Sequence, residues 1–409
     1  MNAHFDVESL RGRFPALRRR EGSHAVAYFD GPGGTQVPDS VADAIRDYLL
    51  FHNSNTHWVY PTSVETDSII TEARSAFADW FCCDASEVVF GANMTTLTLH
   101  LGRALGRAWS AGDEIVVTEL DHHANVDPWR ELAADRGLVV RCVPVVTASG
   151  THDWDAFAAA ITPRTKLVAV GAASNALGSI TDVARVAAMA RAVGALVFVD
   201  AVHLAPHRRI DVQAMGADFV ACSAYKFCGP HVGVLYGRRQ LLEGLRTPKL
   251  QPSPDTAPDR METGTGNHEG IAGALAAVEF HAALGGEGGT RRERLDRAFA
   301  AIEAHEMPLL HRLWHGLSAI PGVRCLGPTP DRPRTGTMSF VVEGMASEEV
   351  CRRLVPFGLY CSNGDFYATT LVQRLGYGDV GLVRVGCAPY TTMDEIERLV
   401  AAVRLIAAG

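Results

Sequence analysis

The stretch Ser223-Ala224-Tyr225-Lys226-Phe227-Cys228-Gly229-Pro230 follows one β-rich run, residues 219–223, and precedes another, residues 232–236. Twenty-six residues before Lys226, the apolar run Val197-Phe198-Val199 ends in Asp200. The chain holds only three lysines, Lys166, Lys226 and Lys249, among 38 basic residues. Arginine can replace lysine as a surface charge but cannot form a Schiff base with an aldehyde. A lysine kept in an arginine-biased chain can therefore be there for its amine. Chance retention explains the count equally well, so the neighbouring sequence has to decide.

Around this stretch, β-rich runs alternate with helical patterns. Strands are expected at residues 25–30, 87–90, 114–119, 138–145, 166–173, 195–200, 219–223 and 232–236, with helices between most of them, as at 153–161 and 183–193. Such alternation specifies an α/β fold with a mostly parallel central sheet covered by helices on both faces. No helix separates the last two runs, which leaves an antiparallel pair open there. From about Gly270 the pattern changes to long helical stretches, 271–284 and 291–317. Two strand-like runs follow, 336–343 and 381–386, and then a closing amphipathic helix from Met393 to about Ala407. The expected division is a large domain, residues 25–268, and a smaller C-terminal α+β domain, residues 269–409, with residues 1–24 packing on the smaller one. Residues 247–266 are rich in proline, glycine and polar side chains and read as a long loop, a length that usually serves function or lacks order.

The bulk properties exclude several classes. With 409 residues, 47% of them hydrophobic and 21% charged, the chain is globular and large enough for two cores. A net charge of -8 carries no basic footprint, so no nucleic-acid partner is expected. The first residues lack the cationic start and apolar core of a signal peptide. The most apolar stretches are broken by Arg185 and Arg191 or by Glu279 and His281, so no membrane span is expected. Nine scattered cysteines without a Cys-x-x-Cys pair point to a reducing cytoplasm, with neither a disulfide framework nor a metal site. No Gly-x-Gly-x-x-Gly turn follows the first strand, which argues against a dinucleotide-binding protein.

In an open α/β sheet, ligands bind at the carboxyl ends of the strands. An aspartate and a lysine at neighbouring strand ends suit a pyridoxal phosphate site, where the carboxylate keeps the pyridinium nitrogen protonated and the amine binds the aldehyde. Three further pieces fall in the same register. Phe90-Gly91-Ala92-Asn93-Met94-Thr95-Thr96 follows a strand and opens a helix, whose free N–H groups and dipole can hold a phosphate. Thr118-Glu119-Leu120-Asp121-His122-His123-Ala124-Asn125 places a histidine pair just past a strand, where a ring can stack on an aromatic cofactor. Ser174-Asn175-Ala176-Leu177-Gly178 ends the next strand with an amide able to hydrogen-bond a cofactor hydroxyl. Singly these are ordinary caps and surface residues, but five in order at strand ends are not.

With these motifs, and from Tyr28-Phe29-Asp30-Gly31-Pro32-Gly33-Gly34-Thr35-Gln36 to the final helix, the chain closely resembles the class V aminotransferase family of pyridoxal-phosphate enzymes. Cysteine desulfurases and selenocysteine lyases are the nearest types. The resemblance implies the pyridoxal-phosphate-dependent transferase fold of type I, with pyridoxal 5'-phosphate bound by residues 25–268. It implies that Lys226 forms the Schiff base and acts in catalysis, that Asp200 pairs with the ring nitrogen and that His122 stacks on the ring. Asn175 and His203 then face the ring oxygen, and Ala92, Asn93, Ser223 and Tyr225 hold the phosphate. Tyr225 stands where the family usually has histidine, and Asn93 where it usually has threonine. Thr265, in Glu262-Thr263-Gly264-Thr265-Gly266-Asn267, matches a segment that reaches a neighbouring subunit's phosphate, which implies a homodimer with shared active sites. His57, in Asn55-Thr56-His57-Trp58, matches a stretch near the substrate pocket. Arg384, in Val383-Arg384-Val385-Gly386, matches the arginine that binds an amino-acid carboxylate, for which a guanidinium fork is suited.

The reaction is the least constrained point. Desulfurases carry a cysteine nucleophile on a loop before that arginine. Here the loop reads Leu359-Tyr360-Cys361-Ser362-Asn363-Gly364-Asp365-Phe366-Tyr367-Ala368, with Phe366 or Tyr367 in the cysteine's slot. Cys361 comes several residues early and reads as a structural cysteine, as does Cys228. The expected activity is therefore that of a cysteine desulfurase-like C–S lyase, with Asp365 as a candidate loop acid. A class V aminotransferase or an epimerase acting on a non-sulfur amino acid is the alternative.

Overall fold

The computed structural model describes residues 6–409. Its centre is a seven-stranded sheet made of β1 (Val88–Gly91), β2 (Glu114–Thr118), β3 (Val139–Val143), β4 (Thr165–Gly171), β5 (Leu196–Asp200), β6 (Phe219–Ser223) and β7 (Gly233–Gly237), in the order β1-β7-β6-β5-β4-β2-β3. The pairs β2–β3, β2–β4, β4–β5 and β5–β6 are parallel, while β7 runs antiparallel to both β6 and β1. The missing helix between β6 and β7 thus marks a reversal of direction. The strands are apolar on both faces because both faces are covered. Val168, Val197, Val199 and Val220 face one core with the helices Pro61–Phe81, Val183–Arg191 and His268–Leu284. Leu167, Ala169, Phe198 and Phe219 face the other, with the helices Met94–Gly106 and Asp127–Arg136.

A second, four-stranded antiparallel sheet comprises β8 (Val323–Leu326), β9 (Thr337–Val342), β10 (Ser362–Gly364) and β11 (Leu382–Gly386), in the order β8-β9-β11-β10. Helices Arg291–Ser318 and Met393–Ala407 pack on it around Leu310, Leu313, Phe340, Val383, Val385 and Leu399. The last helix starts at a reciprocal cap, in which the Thr392 hydroxyl accepts from the Glu395 N–H and the Glu395 carboxylate accepts from the Thr392 N–H. Among the described residues, no helix is long and apolar enough to cross a membrane.

Two expected strands differ in detail. Only Ala27–Tyr28 of residues 25–30 is paired. It lies parallel to Leu359–Tyr360, and Ala27 and Phe29 join the second core and not the central sheet. A short apolar run carries no mark of which sheet it will join. The run 138–145 stops at Val143 because Pro144 has no N–H to donate, and Val145–Val146 turns off to pair with Thr151–His152. Strands β8 and β10 were not expected, since Val323-Arg324-Cys325-Leu326 and Ser362-Asn363-Gly364 lack a sustained apolar pattern.

The two sheets meet at the turn after β4. Gly178 has φ +78° and accepts from the Thr335 N–H at 2.9 Å, and a Cβ on it would collide with the Thr337 carbonyl. The fully buried Arg334 donates Nη2 to the carbonyls of both Leu177 and Thr337. A Gly178→Ala substitution is therefore expected to lower stability by more than about 1 kcal/mol, through the left-handed backbone and the overlap together. Urea unfolding of the wild type and the variant measures this.

Candidate active site

A cavity of about 940 Å³ opens between the carboxyl ends of the central strands and the second sheet. Lys226 enters it from the 3-10 turn Ala224–Lys226 directly after β6, and Asp200 from the end of β5. Arg384 enters from the middle of β11, Asn175 from the turn after β4, and His122 from the turn after β2. The parallel register sets Asp200 beside Gly171 and Ala221, which brings the ends of β4, β5 and β6 level.

The charges are arranged around one desolvated amine. Lys226 Nζ donates to the Pro32 carbonyl at 2.5 Å and lies 4.9 Å from the centre of the Tyr225 ring. Desolvation and the nearby Arg384 guanidinium lower its pKa to about 7, against the opposing pull of Asp200 and Asp30. Burial raises Asp200 to about 6, with only the Val202 N–H and Lys226 favouring its charged form. Burial also raises Asp121 to about 8, helped by the charge of Asp200, although Asp121 Oδ1 accepts from the Gly171 N–H at 2.7 Å. Burial lowers Arg384 to about 9. His122 Nδ1 accepts from the Ala124 N–H, and burial with the positive charges of Lys226 and Arg384 lowers the ring to about 4, so it is neutral at pH 7.

The N-terminus of helix Met94–Gly106 closes one side of the cavity. Asn93 caps this helix by accepting from the Thr96 N–H, and Thr95 and Thr96 line the cavity. Ser223 Oγ accepts from the Met94 N–H at 3.0 Å, which ties the helix start to the end of β6. The approach is close because Gly233 lies against the Asn93 backbone, where a side chain would overlap it. Tyr225 stacks on His231 with ring centres 4.9 Å apart.

Most of the expected residues meet in this cavity: Lys226, His122, Asn93, Asn175, Asp200, His203, Ser223, Tyr225 and Arg384. Four lie elsewhere. Ala92 is exposed beside the cavity and contributes no lining. Thr265 is exposed and outside the cavity of its own chain. His57 is also exposed, and its Nδ1 lies 3.2 Å from Asp67. Asp365 is bound into its own turn, where Oδ1 accepts from the Tyr367 N–H and Oδ2 from the Thr369 hydroxyl, and it lines no part of the cavity.

The loop in the cysteine's slot is pinned by hydrogen bonds. Phe366 and Tyr367 both adopt left-handed backbone, with φ +58° and +57°. Asn175 Nδ2 donates to the Phe366 carbonyl, and the His123 N–H donates to the Tyr367 carbonyl. The Phe366 ring lies 4.1 Å from the Arg384 guanidinium carbon, and the Tyr367 ring stacks on His122 at 5.4 Å. No cysteine lines the cavity. Cys361 packs against the second core and Cys228 is fully buried, with burial pushing the Cys228 thiol up to about 12.

Asp121, Asp30 and His231 were missed from the sequence. Asp121 carried a usable signal, because it stands just past the end of β2, much as Asp200 ends β5. Asp30 and His231 lie in turns whose partners are remote in the chain.

The residues fit a pyridoxal phosphate. Asn175 Oδ1, Arg384 Nε and Asp30 Oδ1 are buried without a hydrogen-bond partner, and the raised Asp200 lacks the cation that a pyridinium N–H would supply. The family model for class-V aminotransferases matches residues 27–399. The chain belongs to this family, and pyridoxal 5'-phosphate is its cofactor. A class-V relative from Dickeya dadantii, a cysteine desulfurase, is 32% identical over 98% of this chain and 97% of its own length. A probable cysteine desulfurase from Mycobacterium leprae is 33% identical over 97% and 96%. The solved apo structure of a cysteine desulfurase from Thermococcus onnurineus superposes with a TM-score of 0.90 at 28% identity, covering all of both chains.

Uptake of pyridoxal phosphate by the cofactor-free class-V protein tests whether the free amine of Lys226 captures the aldehyde. Because the ammonium loses its proton near pH 7, the uptake rate is expected to rise with pH and level off just above 7. An exposed lysine would keep accelerating toward about 10.4. Stopped-flow absorbance measures the rate, and Lys226→Ala is expected to develop no such band.

Proposed function

We propose that this class-V enzyme cleaves the C–S bond of cysteine or a cysteine-derived sulfur amino acid by β-elimination, without a persulfide on the protein. The observation that carries this is a cavity that unites Lys226, Asp200 and Arg384 but contains no thiol, with Phe366 and Tyr367 in the nucleophile's place. The bound cofactor supplies an electron sink for charge developing at Cα. Arg384 holds the substrate carboxylate, whose oxygens replace the Phe366 ring as partner of the guanidinium. The lowered pKa of Lys226 leaves its amine able to take the Cα proton at neutral pH. The Cβ–S bond then breaks and its electron pair leaves as hydrosulfide. Water hydrolyses the released 2-aminoacrylate to pyruvate and ammonia. Asp200 keeps the ring-nitrogen proton in place, and neutral His122 offers a flat, uncharged face for stacking.

With cysteine, equal amounts of sulfide, pyruvate and ammonia are expected. Alanine with persulfide sulfur, or amino transfer to a keto acid, would overturn the elimination reading. Loss of the charged fork in Arg384→Ala is expected to reduce kcat/KM by roughly 10²-fold, mainly through KM.

The enzyme is further read as a homodimer. Leu49, Leu50, Phe51, Trp58, Val59 and Tyr60 are exposed within a dozen residues of chain, an apolar surface that a second copy would cover. Pairing of this kind offers His57 and Thr265 a role in the neighbouring subunit's cavity. Sedimentation is expected to give a dimer that Val59→Glu dissociates. Nine free cysteines support a reducing, cytoplasmic setting.

A further inference from the structure

A chain of buried groups leads out of the cavity behind His203. This histidine lines the cavity and is 4% exposed. Its Nε2 lies 3.2 Å from Thr335 Oγ1, and the Thr335 hydroxyl is directed at the Gly178 carbonyl, so Nε2 is the donor and Nδ1 is left as an acceptor. The His207 ring lies 5.3 Å from the His203 ring at an interplanar angle of 62°. His207 Nδ1 is in turn 2.8 Å from Glu306 Oε2, on helix Arg291–Ser318 of the other layer. His207 is 3% and Glu306 2% exposed, and Glu306 Oε1 has no partner. A carboxylate this deep is costly unless paired, and its one hydrogen-bonded partner here is the His207 ring. The other titratable groups facing the chain are Lys226 and Arg384 on the cavity side of His203, and Cys387 beside Glu306.

We infer that Glu306 and His207 are positioning residues for His203, holding the plane of its ring so that Nδ1 faces the cofactor as an acceptor. Neither residue touches the cofactor. Glu306 holds the proton on His207 Nδ1, which fixes the orientation of that ring. This inference rests on the cofactor assignment, not on which substrate bond is broken.

The test uses the cofactor-loaded enzyme. Its visible absorbance checks the cofactor, and the pH midpoint of that absorbance checks the positioning pair. In Glu306→Gln the amide can still accept from His207, but the carboxylate is gone and the His207 ring is held less firmly against His203. The midpoint is expected to shift by roughly half a unit or more, and kcat to fall while KM holds. In a His203→Gln background the same Glu306→Gln change is expected to leave the midpoint still, because its effect passes through His203. His207→Asn, a smaller perturbation of the packing, is expected to shift the midpoint in the same direction. A lower melting temperature with the midpoint and kcat unchanged would reduce the pair to a structural contact and overturn the proposal. A shift of equal size in the presence and absence of His203 would do the same.

Discussion

A desolvated amine imposes the main constraint on this molecule. Lys226 sits where its ammonium has little water, and the charges that balance it come from three other segments: Asp200 from the end of β5, Asp30 from the N-terminal turn, and Arg384 from β11 of the second sheet. In such surroundings these interactions are strong and act over several ångströms. The site therefore exists only while the two sheets are docked, and the docking contacts converge on the same place. Gly178 lies against Thr337, Arg334 bridges Leu177 and Thr337, and the Arg384 guanidinium donates to the Asn175 carbonyl at 3.1 Å. Stability of the junction and competence of the cavity are one problem.

The same constraint clarifies the place of the chain within its family. Lys226, Asp200, Asn175, His122, His203 and Arg384 share one cavity, and the rings of Phe366 and Tyr367 but no cysteine stand among its lining residues. Phe366 and Tyr367 are held in left-handed backbone that larger residues avoid, and four hydrogen bonds pin the turn. One ring covers Arg384 and the other covers His122.

Much of the site was legible because strand ends are local features. A β-rich run that stops at Asp200, or at Ser223 just before Lys226, announces its own position, and parallel pairing then brings such ends level. Arg384 was legible for a similar reason, since a charge flanked by Val383 and Val385 in a buried strand needs a function. Asp365 misled because an acid on a loop looks the same whether it faces substrate or caps a turn. His57 and Thr265 were drawn from resemblance alone, and within one chain both lie on the surface. The His203–His207–Glu306 chain was only one-third legible. Its carboxylate is 99 residues from the histidine it holds.

The sequence by itself determined the alternating fold and the strand-end places of Asp200 and Lys226, because each depends on periodicity and spacing within short segments, while the cofactor came with the family resemblance that those residues carry. Tertiary structure alone decided which sheet residues 27–28 join, that Asp30 and Asp121 stand in the site, and that no thiol enters it. It decided as well that Lys226 titrates near neutrality. These outcomes depend on desolvation and on charges brought together from distant segments, and neither quantity is defined until the chain has closed on itself.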